Sequence, residues 1–141
     1  MTGSVRYVPK LKSREEIEYM LDWIFRDLVP ADDRSLDYAR EYARGGAAVC
    51  RWILGRDHAS PVTGKVLNRP VTCNDVRHEG YEAQVAMANG GYPAVRPPRP
   101  PLSMNFLNGV DDWASWATGS QGVSLPDGWP FDQGPPLPPI R

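Results

Sequence analysis

A short run in the middle of the chain, from Ser60 to Val71, constrains the fold more than any other stretch. Pro61 fixes one backbone angle, and Thr63-Gly64 provides a turn that tolerates positive φ. Pro70 removes a backbone donor and therefore belongs at the start or the edge of a strand. Between these signals stand β-branched residues that suit a pleated surface, namely Val62, Val66 and Val71. The run predicts a loop that leads into a β-hairpin, and a helix follows from about Asp75 to Asn89.

The spacing of this run resembles the opening of a U-box, the zinc-free relative of the RING finger. It reads Ser-Pro-Val-Thr, three residues, Leu, two residues, Pro-Val; the family typically has Cys-Pro-Ile-Thr/Ser, three residues, Met, two residues, Pro-Val. Further similarities to the central helix, second loop and ending of a U-box are found at Tyr81-Glu82, Tyr92–Arg96 and Pro101–Asn108. The resemblance covers about residues 60–116. Ser60 stands where Cys is usual, and Arg69 where the family favours Asp.

The resemblance implies a function in ubiquitin transfer. U-box proteins bind a ubiquitin-charged conjugating enzyme and orient the ubiquitin for attack by a lysine, a gain from positioning without covalent chemistry. Val62 and Pro93 would form the apolar groove for the conjugating enzyme. Arg96 would take the catalytic place of the arginine that bridges that enzyme and ubiquitin, a task suited to the fixed donors of a guanidinium. On this resemblance the chain is a possible E3 ubiquitin ligase that needs no cofactor.

Two helices are predicted before this run. Ser13 and Glu16 have the spacing of a capping box at the start of an amphipathic helix over Ser13–Leu28. The second helix, Ser35–Leu54, carries small residues at alternating spacings of three and four, which permit a close approach by a neighbouring helix. The short connection favours an antiparallel pair, with Ala43 and Gly46 at its closest approach.

We therefore expect an α+β fold. An N-terminal antiparallel helical hairpin precedes a small RING/U-box-like loop–β-hairpin–helix module, and a proline-rich C-terminal tail follows. The predicted boundaries are residues 1–56, 57–118 and 119–141. The run Pro135–Pro139 favours a polyproline II conformation.

Charge and hydropathy restrict the classes of partner that the chain is expected to have. The net charge is −1 and the charges are spread along the chain, so the sequence lacks the basic patch that nucleic-acid binding requires. No apolar run approaches the roughly 20 residues of a membrane helix, and the first residues lack the apolar core of a signal peptide. We expect a soluble, cytoplasmic protein without nucleic-acid or membrane partners.

A metal site is a further alternative. One zinc ion could in principle be bound by two cysteines and two histidines, namely Cys50, His58, Cys73 and His78. Their spacings match no common zinc module, and a RING finger with its two metal sites needs more ligands than these. The sequence therefore predicts no metal site.

Two other functions remain open. The chain could be a non-catalytic assembly protein, for example a small component of a virion or another large complex, with an unidentified protein partner. A degenerate ββα-metal nuclease is the third alternative, because Asp57-His58, Thr63–Val66 and Cys73-Asn74 follow the order of its parts. That family also needs an upstream Cys-x-x-Cys pair, which this sequence lacks.

Overall fold

The computed structural model describes residues 9–28, 37–93, 101–120 and 122–131, and the regular structure within them is helical. These described residues form four α-helices: α1 (Arg14–Trp23), α2 (Asp37–Ile53), α3 (Cys73–Ala88) and α4 (Met104–Ala117). A π-helical segment, Ile24–Leu28, continues α1. The described ranges contain no strand, and their β-pairing is an isolated antiparallel bridge between Ala59 and Val66.

The predicted α+β fold is wrong, because the described residues of the predicted module over 57–118 form no β-hairpin. The described backbone from Ser60 to Val71 forms a turn and bends, and only Val66 takes part in a bridge. Pro61 and Pro70 have no N–H to offer a ladder. The amides of the turn donate instead to side-chain oxygens and to backbone carbonyls within the turn, so the β-branched residues line a loop.

Helices α1 and α3 begin at capping boxes. Ser13 Oγ accepts from the amide of Glu16 at 3.2 Å, and Glu16 Oε1 accepts from the amide of Ser13 at 3.2 Å. This arrangement confirms the prediction for α1. At α3, Thr72 Oγ1 accepts from the amide of Asp75 at 3.3 Å and Asp75 Oδ2 accepts from the amide of Thr72 at 2.8 Å. Each box satisfies backbone donors that a helix N-terminus leaves without a partner.

The small residues of α2 pack closely on α4. A Cβ at Gly46 would overlap the indole ring of Trp113, with Cε2 at 2.7 Å, and a Cβ at Gly45 would lie 2.9 Å from the amide nitrogen of Val110. On the facing helix, a Cβ at Gly109 would lie 3.2 Å from Gly45 Cα. The sequence correctly indicates a close helix contact at Gly46 but assigns it to the wrong partner, since α1 was expected there.

A polar contact joins the same two helices. The hydroxyl of Tyr42 donates a hydrogen bond to Asp112 Oδ2, and the Tyr42 and Trp113 rings lie 4.9 Å apart between centroids. Burial and this carboxylate raise the pKa of Tyr42 well above its usual range. The tyrosine therefore remains a neutral donor, which satisfies a carboxylate at the edge of the core.

One cluster of buried side chains extends through all four helices and across residue 56, the predicted domain boundary. The chain before α1 is tied to the end of α4, because the amides of Lys10 and Lys12 donate to the carbonyls of Thr118 and Ala117 at 3.1 and 2.8 Å. After α4, Trp129 covers the outside of the cluster, 5.2 Å from the Tyr19 ring in an edge-on arrangement. The structure thus places the helices around a common core.

Hydropathy places no membrane-spanning helix in the described part of the chain, because none there is both long and apolar enough to cross a bilayer. The cytoplasmic location stays a prediction.

We expect Gly46→Ala to lower the free energy of unfolding by about 2 kcal/mol. The added methyl would overlap the Trp113 ring, and this outweighs the gain of about 1 kcal/mol in helix propensity. Trp113→Phe removes Cε3 of the indole, one of the three ring atoms that the added methyl would overlap, and so relieves part of the clash. A double-mutant cycle measured by urea denaturation should therefore show a favourable coupling of about 1 kcal/mol or more. Additive effects of the two substitutions would contradict the packing of Gly46 on α4.

Candidate functional site

The loop from Ser60 to Lys65, which the sequence singles out, is a closed turn built around Ser60. The amide of Ser60 donates to the carbonyl of Lys65 at 3.0 Å, and the amide of Gly64 donates to the carbonyl of Ser60 at 3.1 Å. The side chain of Ser60 adds two contacts, accepting from the amide of Lys65 at 2.9 Å and sharing a hydrogen bond with Thr63 Oγ1 at 2.8 Å. Gly64 has φ +70°, which its position in the turn requires.

A buried carboxylate holds this loop against α3. Glu79 has 2% of its surface exposed. Its Oε1 accepts from the amides of Val62 and Thr63 at 2.6 and 2.7 Å, and its Oε2 accepts from Thr63 Oγ1 at 3.0 Å. Three hydrogen bonds from the loop thus converge on one buried side chain. The sequence motifs did not point to this residue, although Glu79 interrupts an apolar face of α3 that includes the buried Val76 and Ala83.

The predicted site residues have different placements. Val62 has 1% of its surface exposed and its side chain belongs to the core, and Pro93 is also buried. Arg96 lies outside the described residues. In the loop itself the exposed side chain is that of Lys65, and the next residue, Val66, has 66% of its surface open to solvent. Roles for Val62, Pro93 and Arg96 in binding a conjugating enzyme stay predictions.

Arg69, which departs from the U-box pattern, has a local partner. Its two terminal nitrogens donate to the two carboxylate oxygens of Asp75 at 2.6 and 3.0 Å. This bidentate contact, together with the hydrogen bonds from Thr72, lowers the pKa of Asp75 well below its usual range. Because Asp75 also completes the capping box of α3, the pair fixes the chain that leads from the loop into the helix.

A groove lies between α1 and the end of α2, with a volume of about 460 Å³. We call it the Phe25 groove, after the phenylalanine that lines it with 44% of its surface exposed. Leu21 supplies a buried apolar wall. The remaining lining is charged, with Glu18 and Asp22 from α1 and Arg51 and Arg56 from the α2 side.

A smaller cleft of about 220 Å³ lies between α3 and α4, and we call it the Asp111 cleft. Asp111 Oδ1 accepts from Gln84 Nε2 at 3.1 Å. Burial raises the pKa of Asp111, the hydrogen bond from Gln84 opposes this, and the nearby charge of Asp112 adds to it. A titratable group perturbed by burial within a cleft is a candidate functional residue.

The described residues contain no group of three or more His, Cys, Asp or Glu side chains placed to hold a metal ion. Cys50, one of the four candidate zinc ligands, is buried in the core, and burial raises the pKa of its thiol to about 12. Of the others, His78 has a carboxylate neighbour, since its Nε2 lies 3.8 Å from Glu82 Oε1. This arrangement does not assemble a metal-binding set in the described structure.

No family model, curated protein or solved structure matches this chain.

We expect Asp75→Asn to lower the free energy of unfolding at pH 7. We also expect this free energy to change less with pH in the acid range than it does in the wild type. The folded-state pKa of Asp75 is depressed by Arg69, so the unfolded chain takes up a proton first as the pH falls below about 4. The stabilisation is therefore fully present above that pH and is lost towards lower pH.

Urea denaturation at pH 7 and pH 3 measures this effect. The difference between the wild type and Asp75→Asn should be smaller at the lower pH. Asp127→Asn, which changes an exposed carboxylate in the segment after α4, is the matched control. An equal difference at both pH values would contradict the assigned contribution of the Arg69–Asp75 pair.

Proposed function

We propose that the chain is a non-catalytic assembly protein that binds a protein partner through the Phe25 groove. The observation that carries this proposal is an exposed phenylalanine set beside a buried apolar wall and surrounded by charges. Protein interfaces have this anatomy, with an apolar centre, enriched in aromatic residues, inside a polar rim. Aromatic side chains at such centres contribute a large share of the binding free energy.

Local backbone geometry also supports a role for this groove. Phe25 lies in the π-helical segment that continues α1. Such segments are rare and frequently occur at functional sites. The wider turn changes the direction of the side chains relative to a continuous α-helix, and Phe25 remains substantially exposed while the neighbouring Ile24 is buried.

The charges around the groove indicate the chemistry of the partner. Arg56 lies 3.5 Å from Glu18 across the groove, while Asp22 and Arg51 pair locally with Arg26 and Asp57. These pairs are exposed and contribute about 1 kcal/mol or less each, so a partner can replace them at small cost. An amphipathic helix with one large apolar side chain between an acidic and a basic residue fits this arrangement.

The alternative is the ubiquitin-transfer function predicted from the U-box resemblance. It requires a conjugating enzyme to bind near Val62 and Pro93, both of which are buried in the free chain. A partner at those residues would have to uncover core side chains, whereas a partner at Phe25 meets a surface that is already exposed. This difference favours the assembly function.

We expect a photo-crosslinking amino acid at position 25 of the full chain to form a discrete adduct in lysate from the source cells. The same amino acid at position 66 should not form it, although Val66 has a larger exposed fraction than Phe25. After identification of the adduct by mass spectrometry, Phe25→Ala should weaken binding of the purified partner by about tenfold or more. Because Phe25 is substantially exposed, this variant should melt close to the wild type.

Discharge assays with a panel of ubiquitin-charged conjugating enzymes provide the opposing test. Stimulated discharge onto lysine that is lost in Arg96→Ala would contradict the non-catalytic proposal and support the ligase prediction.

The crosslinking test has its own contradicting outcomes. Equal crosslinking from positions 25 and 66, or unchanged partner binding by Phe25→Ala, would contradict the assignment of the Phe25 groove as the binding site.

A further inference from the structure

The Asp111 cleft contains two opposite charges that do not pair with each other. Asp111 and Arg77 both line it. Among the described residues, Asp111 has no cation within ion-pair distance, and its partner is the neutral amide of Gln84. The adjacent Asp112 is already bonded to Tyr42. A partly buried carboxylate without a cation is unfavourable, and a positively charged group would compensate it.

Gly80 keeps the floor of the cleft open. A Cβ at this position would lie 3.1 Å from the Cβ of Ala114 and 3.8 Å from Asp111 Oδ1. A larger side chain would therefore occupy the space in front of the carboxylate. Glycine within a helix costs about 1 kcal/mol relative to alanine, and here it permits both the close approach of α3 to α4 and the open floor.

The remaining lining suits a small polar molecule. Tyr81, with 61% of its surface exposed, presents an aromatic ring at the cleft, and such rings attract cations. Ser115 and Ser120 add hydroxyl groups, which both donate and accept hydrogen bonds. At about 220 Å³ the cleft is smaller than the usual range of roughly 300–1,000 Å³ for ligand pockets. Its size thus favours a ligand with few heavy atoms.

We propose that the Asp111 cleft binds a small zwitterion of the amino-acid type, with the ammonium group at Asp111 and the carboxylate at Arg77. The guanidinium of Arg77 offers paired donors for a carboxylate, and Asp111 has one oxygen beyond that bonded to Gln84. The ligand would thus bind through both Asp111 and Arg77, which do not form an ion pair with each other. This site is separate from the Phe25 groove, so it would add ligand binding to the assembly function.

Free amino acids, each at about 10 mM, are screened against the full chain by ligand-observed NMR to test this proposal. We expect at least one to bind with a Kd on the order of 1 mM or lower. The N-acetyl and the amide derivatives of the same amino acid should each bind about tenfold more weakly, because each lacks one of the two charges.

Two substitutions locate the binding. Asp111→Asn keeps the size of the side chain and an oxygen for Gln84 but removes the charge, and Arg77→Gln alters an exposed residue of α3. Each should weaken binding about tenfold or more. Asp127→Asn makes the same charge change as Asp111→Asn outside the cleft and should leave binding unchanged.

The proposal would be overturned if no amino acid bound, or if the blocked derivatives bound as tightly as the free amino acid. It would also be overturned if Asp111→Asn and Asp127→Asn had equal effects, or if Arg77→Gln left binding intact. Selective binding of basic peptides without free amino acids would also overturn it, since the site would then receive a side chain of a protein partner. Arg77→Gln keeps the test decisive if Asp111→Asn fails to fold.

Discussion

The carboxylate of Glu79 connects the loop to the helical core, and the placement of residues 60–65 depends on it. The described loop has no sheet to satisfy its backbone, and a buried amide without a partner costs about 1–3 kcal/mol. Glu79 accepts from two such amides and from the hydroxyl of Thr63. One side chain of α3 thus takes the place of the hairpin ladder that the sequence suggests, and it keeps Val62 within the core.

The packing of α2 on α4 provides the frame for both candidate sites. Gly45, Gly46 and Gly109 allow the two backbones to approach closely, and Trp113 covers Gly46. Helix α4 then forms one wall of the Asp111 cleft, and the far end of α2 forms one wall of the Phe25 groove. Because the two sites share no lining residue, a partner in the groove leaves the cleft available for a small molecule.

Local signals in the sequence predict more of the fold than distant contacts do. The capping box at Ser13 follows from a spacing of three residues and is present. The small residues of α2 predict a close helix contact, but their pattern contains no information on whether α1 or Trp113 provides it. The β-branched run predicts strands when taken alone, because the compensating acceptor, Glu79, comes much later in the chain. Arg69 departs from the residue that a U-box would have at this position. The sequence does not indicate its partner, and only the structure shows that it pairs with Asp75. The Phe25 groove and the Asp111 cleft arise from tertiary packing, and neither was predicted.

Native-state hydrogen exchange, read by NMR, tests the role of Glu79 most directly. We expect the amides of Val62 and Thr63 to exchange about as slowly as the amide of Val76, which donates to the carbonyl of the N-cap residue Thr72 in the first turn of α3. In Glu79→Ala both loop amides should exchange faster while Val76 remains protected, and Glu79→Gln, which keeps the Oε1 acceptor, should have a smaller effect. Fast exchange of Val62 and Thr63 in the wild type, or slow exchange that survives Glu79→Ala, would contradict this account.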